Sequence, residues 1–154
     1  MTEDLILDEK TSQRIQHALE DFILDTKARA IMVMTRGGQL IAQEGFVEGM
    51  KILSVAALLS GIFNSTLNLA KAVGEKNFPH FYQQGKRWRI YYEHIKEKFI
   101  IATFFEESAL LGVVRVKMKE IKEVLKNVVE GERIRIDWGR ERNVEDLIDR
   151  FFRE

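Results

Sequence analysis

The chain has 154 residues, of which 45% are hydrophobic and 31% charged, so it is large enough for one folded domain with its own hydrophobic core. Lys plus Arg and Asp plus Glu each total 24, and this balance argues against a protein built mainly to neutralise nucleic-acid phosphates. The absence of cysteine excludes disulfide scaffolds, thiol nucleophiles and thiolate metal sites.

The first third of the chain predicts a helix followed by a β-hairpin. Its acidic start, MTEDLILDEK, lacks the basic residues and apolar run of a secretion signal, which favours a cytoplasmic protein. Residues 10–25 carry apolar side chains at helical spacing. In ARAIMVMTRGGQLIAQEG, two extended runs flank Gly37-Gly38, and glycine accepts the positive φ that tight hairpin turns require. The run of residues 30–35 is apolar on both faces, so we expect a central strand.

The segment between Lys51 and Lys71 contains no charged residue and predicts a long helix. Its length is that of a membrane span, but its serine, threonine and asparagine residues argue against one. We therefore expect a helix buried on more than one side. One side would lie on the sheet, and a second copy of the protein is the natural cover for the other.

The second half predicts three strands and a helix, at residues 78–83, 87–92, 99–105 and 109–130. Pro79 is tolerated at an edge strand or a strand start, and Lys96-Glu97 forms the turn before the central third strand. Glu106, Glu107 and Ser108 would lie at the N-terminus of the helix. After it, RIRIDW fits a short extended segment, and NVEDLIDRFFRE predicts a terminal amphipathic helix.

The residues that carry chemistry do not form a recognisable active site. The three histidines, at positions 17, 80 and 94, lack partners at metal-ligand spacing, so we expect no metal and no cofactor. No serine or threonine has the sequence context of an activated nucleophile, and Gly85-Lys86 fits a turn better than a phosphate loop. We expect a protein that is not an enzyme.

A basic row runs along the last long helix at helical spacing. It comprises Arg115, Lys119, Lys122 and Lys126. An acidic row at positions 120, 123 and 130 lies beside it, and mixed rows of this kind are typical of a solvated helix face with weak ion pairs. A surface that steers an acidic partner is the alternative, and nucleic-acid binding is not expected.

The order of elements, together with four local sequences, resembles the Roadblock/dynein light-chain superfamily. These sequences are TRGGQLIAQEG, LNLAKAVGEKNF, QQGKRWRIYY and FFEESALLGVVRVKMKEIKEVL. Within the superfamily the chain resembles the bacterial MglB proteins, partners of the Ras-like GTPase MglA, because VEDLIDRFF is similar to their extra C-terminal helix. The resemblance implies a Roadblock domain at residues 1–131 and a C-terminal extension with a short amphipathic helix at residues 132–154.

The fold that the resemblance implies is an α+β sandwich. A five-stranded antiparallel sheet would carry the long helix on one face and the first and last long helices on the other, with the extra C-terminal helix appended. The resemblance also implies a homodimer joined through residues 51–73 and 78–83. The candidate dimer contacts are Leu59, Ile62, Phe63, Leu67, Phe78, Phe81 and Tyr82.

The function that the resemblance implies is regulation of a small Ras-like, MglA-like GTPase, in processes such as cell polarity or motility. A homodimer would act as a GTPase-activating protein by arranging the GTPase's own residues, without an arginine finger. A Roadblock-type adaptor dimer that binds a GTPase or another protein without stimulating hydrolysis is the alternative, because one fold serves both uses. A small-ligand sensor is a third reading that no set of convergent polar residues supports.

The candidate GTPase contacts fall into three groups. The small and polar part of the long helix contributes Ala57, Ser60, Gly61 and Asn64. The basic row Arg115, Lys119, Lys122 and Lys126 would steer an acidic partner. The terminal helix would place Leu147, Ile148, Phe151 and Phe152 in a groove of the GTPase.

Overall fold

The computed structural model describes residues 4–7, 9–131 and 134–137. The elements are, in chain order, β1 (Asp4–Leu7), α1 (Glu9–Thr26), β2 (Ala30–Thr35), β3 (Leu40–Gly45), α2 (Ile52–Ala72), β4 (His80–Gln84), β5 (Arg89–Ile95), β6 (Phe99–Phe105), α3 (Leu111–Gly131) and β7 (Ile134–Asp137).

The main sheet has five antiparallel strands in the order β3-β2-β6-β5-β4. Its centre is apolar on both faces, since all seven residues of β6 are buried, as are residues 30–34 of β2. The prediction of two central strands is therefore confirmed. The edges are β3 and β4, whose residues are half-buried or exposed.

Alternation along the strands divides the interior into two cores. Ile31 and Val33 pack with α1 and α3 on one face, whereas Met32 and Met34 pack with α2 on the other. The expected α+β sandwich, with the long helix opposite the first and last long helices, is confirmed.

Two glycines allow the β2–β3 hairpin to lie close to neighbouring backbone. Gly38 in the turn has φ of +95°, and a Cβ there would lie 3.5 Å from the Cα of Ala57 in α2. Gly45 at the end of β3 has φ of +85°, and a Cβ would lie 2.2 Å from the carbonyl oxygen of Arg29. Glycine suits both positions because other residues would be strained at these positive φ values. The short distance from Gly38 to Ala57 shows that the hairpin lies directly against α2.

The structure differs from the sequence-based expectation at both ends of the main domain. β1, which was not predicted, pairs with β7 in a separate two-stranded sheet, and β7 is the extended segment expected in RIRIDW. The tail therefore folds back on the N-terminus through β7. The predicted terminal helix lies outside the described residues.

Glu106 does not belong to a helix N-terminus, because α3 begins only at Leu111. Its carboxylate instead binds Arg29 and Arg87, each at 2.7 Å. These two guanidinium groups, that of Arg87 most strongly, hold the pKa of Glu106 below its usual value. The acid thus connects the start of β2 to the loop before β5.

In the described part of the chain, α2 is the one helix long and apolar enough, by length and composition, to cross a membrane. Six of its residues are buried, and four of them, Ala56, Leu59, Phe63 and Leu67, pack on the sheet. This packing is that of a core helix, while the absence of a membrane span stays a prediction.

Candidate partner-binding surface

The side of α2 that faces away from the sheet is apolar and has no partner within the described part of the chain. Leu58 is 68% exposed, Ile62 38% and Leu69 56%. Together with small neighbours they line a shallow groove of about 490 Å³, formed by Ala57, Leu58, Gly61, Ile62, Ser65, Thr66 and Leu69. Contiguous exposed apolar surface of this kind marks an interaction site.

This outward side has two flanks of different chemistry, because successive helical residues are rotated by about 100°. The first, which we name the hairpin flank, lies beside the β2–β3 hairpin and consists of Ala57, Gly61, Asn64 and Asn68. The second, the apolar flank, consists of Leu58, Ile62, Ser65 and Leu69.

The apolar flank lies toward β5 and the edge strand β4. On that side, the hydroxyl of Thr66 lies beside the phenol of the buried Tyr92 of β5. Tyr92 in turn stacks on Phe81 of β4, with ring centroids 4.7 Å apart. Burial raises the pKa of Tyr92 above its usual value.

Arg36, in the β2–β3 turn, is fixed against the hairpin flank. Its backbone carbonyl accepts a short hydrogen bond from the Ser60 hydroxyl. Its Nε donates to Oδ1 of Asn64 at 2.8 Å, and its guanidinium lies 5.9 Å from the ring centroid of Phe63. Arg36 was not among the residues predicted from the sequence. The one feature of the sequence that could have indicated it is its position in the TRGGQ turn.

Three predicted dimer contacts are wrong. Leu59, Phe63 and Leu67 are only 3%, 2% and 5% exposed, because they lie on the side of α2 that packs on its own sheet. Ile62 is exposed as a contact requires. The three remaining candidates, Phe78, Phe81 and Tyr82, are half-buried on or just before β4.

The predicted GTPase contacts on α2 separate into accessible and inaccessible residues. Ala57 and Gly61 are exposed and Asn64 is half-buried, all on the hairpin flank. Ser60 is buried, and its hydroxyl is occupied by Arg36, so the prediction that it touches a partner directly is wrong. Its role is to hold the turn.

The basic row on α3 is partly bound to the sheet. Lys122 donates to Glu93 of β5 at 2.8 Å, and Arg115 hydrogen-bonds the phenol oxygen of Tyr91. The Tyr91 hydroxyl also donates to Glu93, and burial, followed by this carboxylate, raises its pKa above the usual value. Lys119 is exposed and Lys126 half-buried, so a steering role for the row stays a prediction.

The remaining predictions concern the tail and metals. The tail candidates Leu147, Ile148, Phe151 and Phe152 lie outside the described residues. Within residues 4–7, 9–131 and 134–137, no cluster of three or more His, Asp or Glu side chains could hold a metal ion. His17 lies on an exposed helix face, 3.6 Å from Glu20.

The sheet order and the three helices of the described residues are those of an α+β domain with one helix on one face of the sheet and two on the other. The family model of the Roadblock/LC7 domain matches residues 15–105, more than half of the chain, so the protein belongs to the Roadblock/LC7 family. Comparison with curated protein sequences gives no significant match.

Within that family the structure is similar to MglB proteins, as the sequence indicated. An MglB solved in a tetrameric arrangement is 26% identical, with a TM-score of 0.79 over 85% of this chain and 98% of that one. The gliding protein MglB of Thermus thermophilus is 28% identical, with a TM-score of 0.77 over 85% and 99%. Myxococcus xanthus MglB, at 24% identity, has a TM-score of 0.77 over 82% and 95%.

Proposed function

We propose that this protein is a homodimeric regulator of a small Ras-like GTPase of the MglA type, and that it activates GTP hydrolysis without a catalytic residue of its own. The observation that carries the proposal is the outward side of α2, which is uncharged, without a partner in the described part of the chain, and divided into an apolar and a small polar flank. The likeness to MglB proteins at 26% and 28% identity supports it.

The apolar flank is the proposed dimer contact. Leu58, Ile62 and Leu69 are exposed next to one another along the helix, and a two-fold axis would bury the same flank on both copies. The adjacent edge strand β4 has no second partner strand among the described residues, and strand edges of this kind favour pairing with another chain. The tetrameric arrangement of a related MglB is consistent with self-association in this family.

The hairpin flank is the proposed GTPase contact. Ala57 and Gly61 are small and exposed, which permits close approach of a partner backbone, and Asn64 supplies a polar group beside them. Docking on such a rigid surface would order the mobile loops of a GTPase around its nucleotide. The activating effect would then come from positioning the GTPase's own residues and attacking water.

Single-turnover GTP hydrolysis by the organism's own MglA-like GTPase, with and without this protein, tests the proposal. We expect a clear acceleration that saturates with the concentration of the dimer. Unchanged hydrolysis despite complex formation on a sizing column would reject the activating role and favour the adaptor. Deletion of residues 142–154 should leave the dimer intact and reduce the acceleration.

A further inference from the structure

We propose that Arg36 is the charged anchor of the GTPase contact and pairs with a carboxylate side chain of the partner. The inference rests on the proposed function and extends it to a residue in the β2–β3 turn, outside α2. Its basis is a guanidinium group that is fixed in place, lacks a counter-charge in the described part of the chain and borders an uncharged surface.

The guanidinium of Arg36 is already ordered in the free protein. Its Nε donates to Oδ1 of Asn64 at 2.8 Å, and the amide nitrogen of Asn64 donates to the carbonyl of Ser60 at 2.9 Å. The group lies over the ring of Phe63, and the backbone carbonyl of Arg36 is held by Ser60. A side chain fixed in this way loses little conformational freedom on binding, which favours affinity.

The charge of Arg36 is not neutralised within the described part of the chain. The comparably exposed Arg29 and Arg87 both bind Glu106 at 2.7 Å, whereas Arg36 has only the neutral amide of Asn64. Its Nε is occupied, and its terminal Nη atoms are accessible to an incoming acid. Paired nitrogens on a planar guanidinium match the two oxygens of a carboxylate.

The surroundings of Arg36 favour a carboxylate over a phosphate group. The α2 surface beside it adds no cation, because no lysine or arginine occurs between Lys51 and Lys71. The backbone amide of Arg36 donates to the carbonyl of Lys98, so Lys98 is the basic residue bonded to its backbone. A phosphate of double charge is usually held by several cations or by a metal, whereas one guanidinium balances one carboxylate. Close docking on the small residues of the hairpin flank would exclude water from the pair and strengthen it.

The test measures the affinity of the dimer for the GTPase loaded with a non-hydrolysable GTP analogue, by fluorescence anisotropy. Arg36→Ala should weaken binding roughly 30-fold, as is usual when one member of a desolvated charge pair is removed. Arg36→Lys should keep the charge but lose the paired geometry, and weaken binding about 5-fold. Arg87→Ala removes the same charge from an exposed arginine elsewhere and should change affinity less than about two-fold.

A charge-reversal experiment distinguishes a direct contact from a structural effect. Arg36→Glu should abolish binding, and reversal of one acidic surface residue of the GTPase to arginine should restore it. If no acidic position in a scan of the GTPase surface rescues Arg36→Glu, the anchor is overturned. Sedimentation and thermal unfolding of Arg36→Ala should match the unmodified dimer, since a misfolded variant would weaken binding for another reason.

The outcomes separate this inference from the proposed function. If the unmodified protein binds but does not accelerate hydrolysis, the activating role fails while the affinity series still decides on Arg36. If acceleration is present and Arg36→Ala binds normally, the anchor fails and the function stands. If Arg36→Ala binds with normal affinity but lowers the maximal hydrolysis rate at saturation, Arg36 acts on the nucleotide. The carboxylate contact is then overturned.

Discussion

The two faces of the sheet are covered unequally. On one face α1 and α3 lie side by side and enclose a core of sixteen buried residues, with ion pairs such as that of Lys122 and Glu93 at its border. On the other face α2 lies alone, and its outward side carries exposed leucine and isoleucine but no charge. The two-helix face also exposes apolar side chains, among them Leu24 and Val116, but charged residues such as Lys117 and Glu120 stand among them. The one-helix face is therefore where we expect partners to supply the cover.

The largest expected effect comes from placing charge on the apolar flank. The double variant Leu58→Glu/Ile62→Glu should raise the dimer dissociation constant by more than about 100-fold, because four carboxylates, two from each copy, would be buried without partners at the interface. Sedimentation equilibrium measures the mass directly. Leu24→Glu is the control, since Leu24 is 77% exposed on α1, on the two-helix face, and should leave the dimer intact. A double variant that remains dimeric would show that the flank is not the contact.

The next largest effect is on the stability of the monomer, and it compares a buried leucine of α1 with an exposed leucine of α2. In the Leu58→Glu/Ile62→Glu background, Leu19→Ala should lower the free energy of unfolding by about 3 kcal/mol, because the fully buried side chain leaves a cavity. Leu69→Ala, at a position 56% exposed, should lower it by less than about 1 kcal/mol. Urea denaturation measures both. Equal losses would mean that α2 is as enclosed as α1.

How far the sequence predicted this structure depended on whether the deciding contacts were local. The buried strands β2 and β6 could be predicted because continuous apolar runs need no partner to be recognised. The pairing of β1 with β7 could not, since Asp4 and Asp137 stand opposite each other from the two ends of the chain. Short alternating segments become strands only when a distant partner supplies the hydrogen bonds.

The same limit explains the errors at the candidate site. A helix without charges shows no polar stripe, so its sequence does not reveal which residues face the sheet. Leu59, Phe63 and Leu67 were for that reason assigned to a partner although they belong to the core. The role of Arg36 depends on Asn64, which lies 28 residues away in the chain. The prediction that α2 carries the partner surface rested on its charge-free composition and on the resemblance, and it stays a prediction.

The smallest expected effect compares neighbouring tyrosines on opposite faces of β5. Tyr91 lies in the core under α3 and Tyr92 in the core under α2, and burial raises the pKa of both. An unfolded tyrosine ionises near pH ~10, whereas these phenols stay protonated in the folded state. Their contribution to the free energy of unfolding is therefore complete below pH ~10 and declines as the pH rises above it.

Phenylalanine variants measure how much each tyrosine contributes to the fall in the free energy of unfolding at alkaline pH. Tyr91→Phe should flatten the fall in stability above pH ~10 more than Tyr92→Phe, because Glu93 adds to burial at Tyr91 while Thr66 opposes it at Tyr92. Chemical denaturation at several pH values gives the two slopes. A larger change from Tyr92→Phe would mean that the surroundings of Tyr92 raise its pKa more than those of Tyr91 do, which contradicts this prediction.

The central claim, that the hairpin flank of α2 receives the GTPase, is tested most directly by single-turnover GTP hydrolysis with Gly61→Arg. A side chain at Gly61 would meet no atom within 4 Å, and arginine favours a helix more than glycine, so the variant should fold and dimerise. Gly112→Arg on α3 is the matched control, because a side chain there also meets no atom within 4 Å. We predict that Gly61→Arg abolishes the acceleration while Gly112→Arg retains it. Full acceleration by a dimeric Gly61→Arg would contradict the claim.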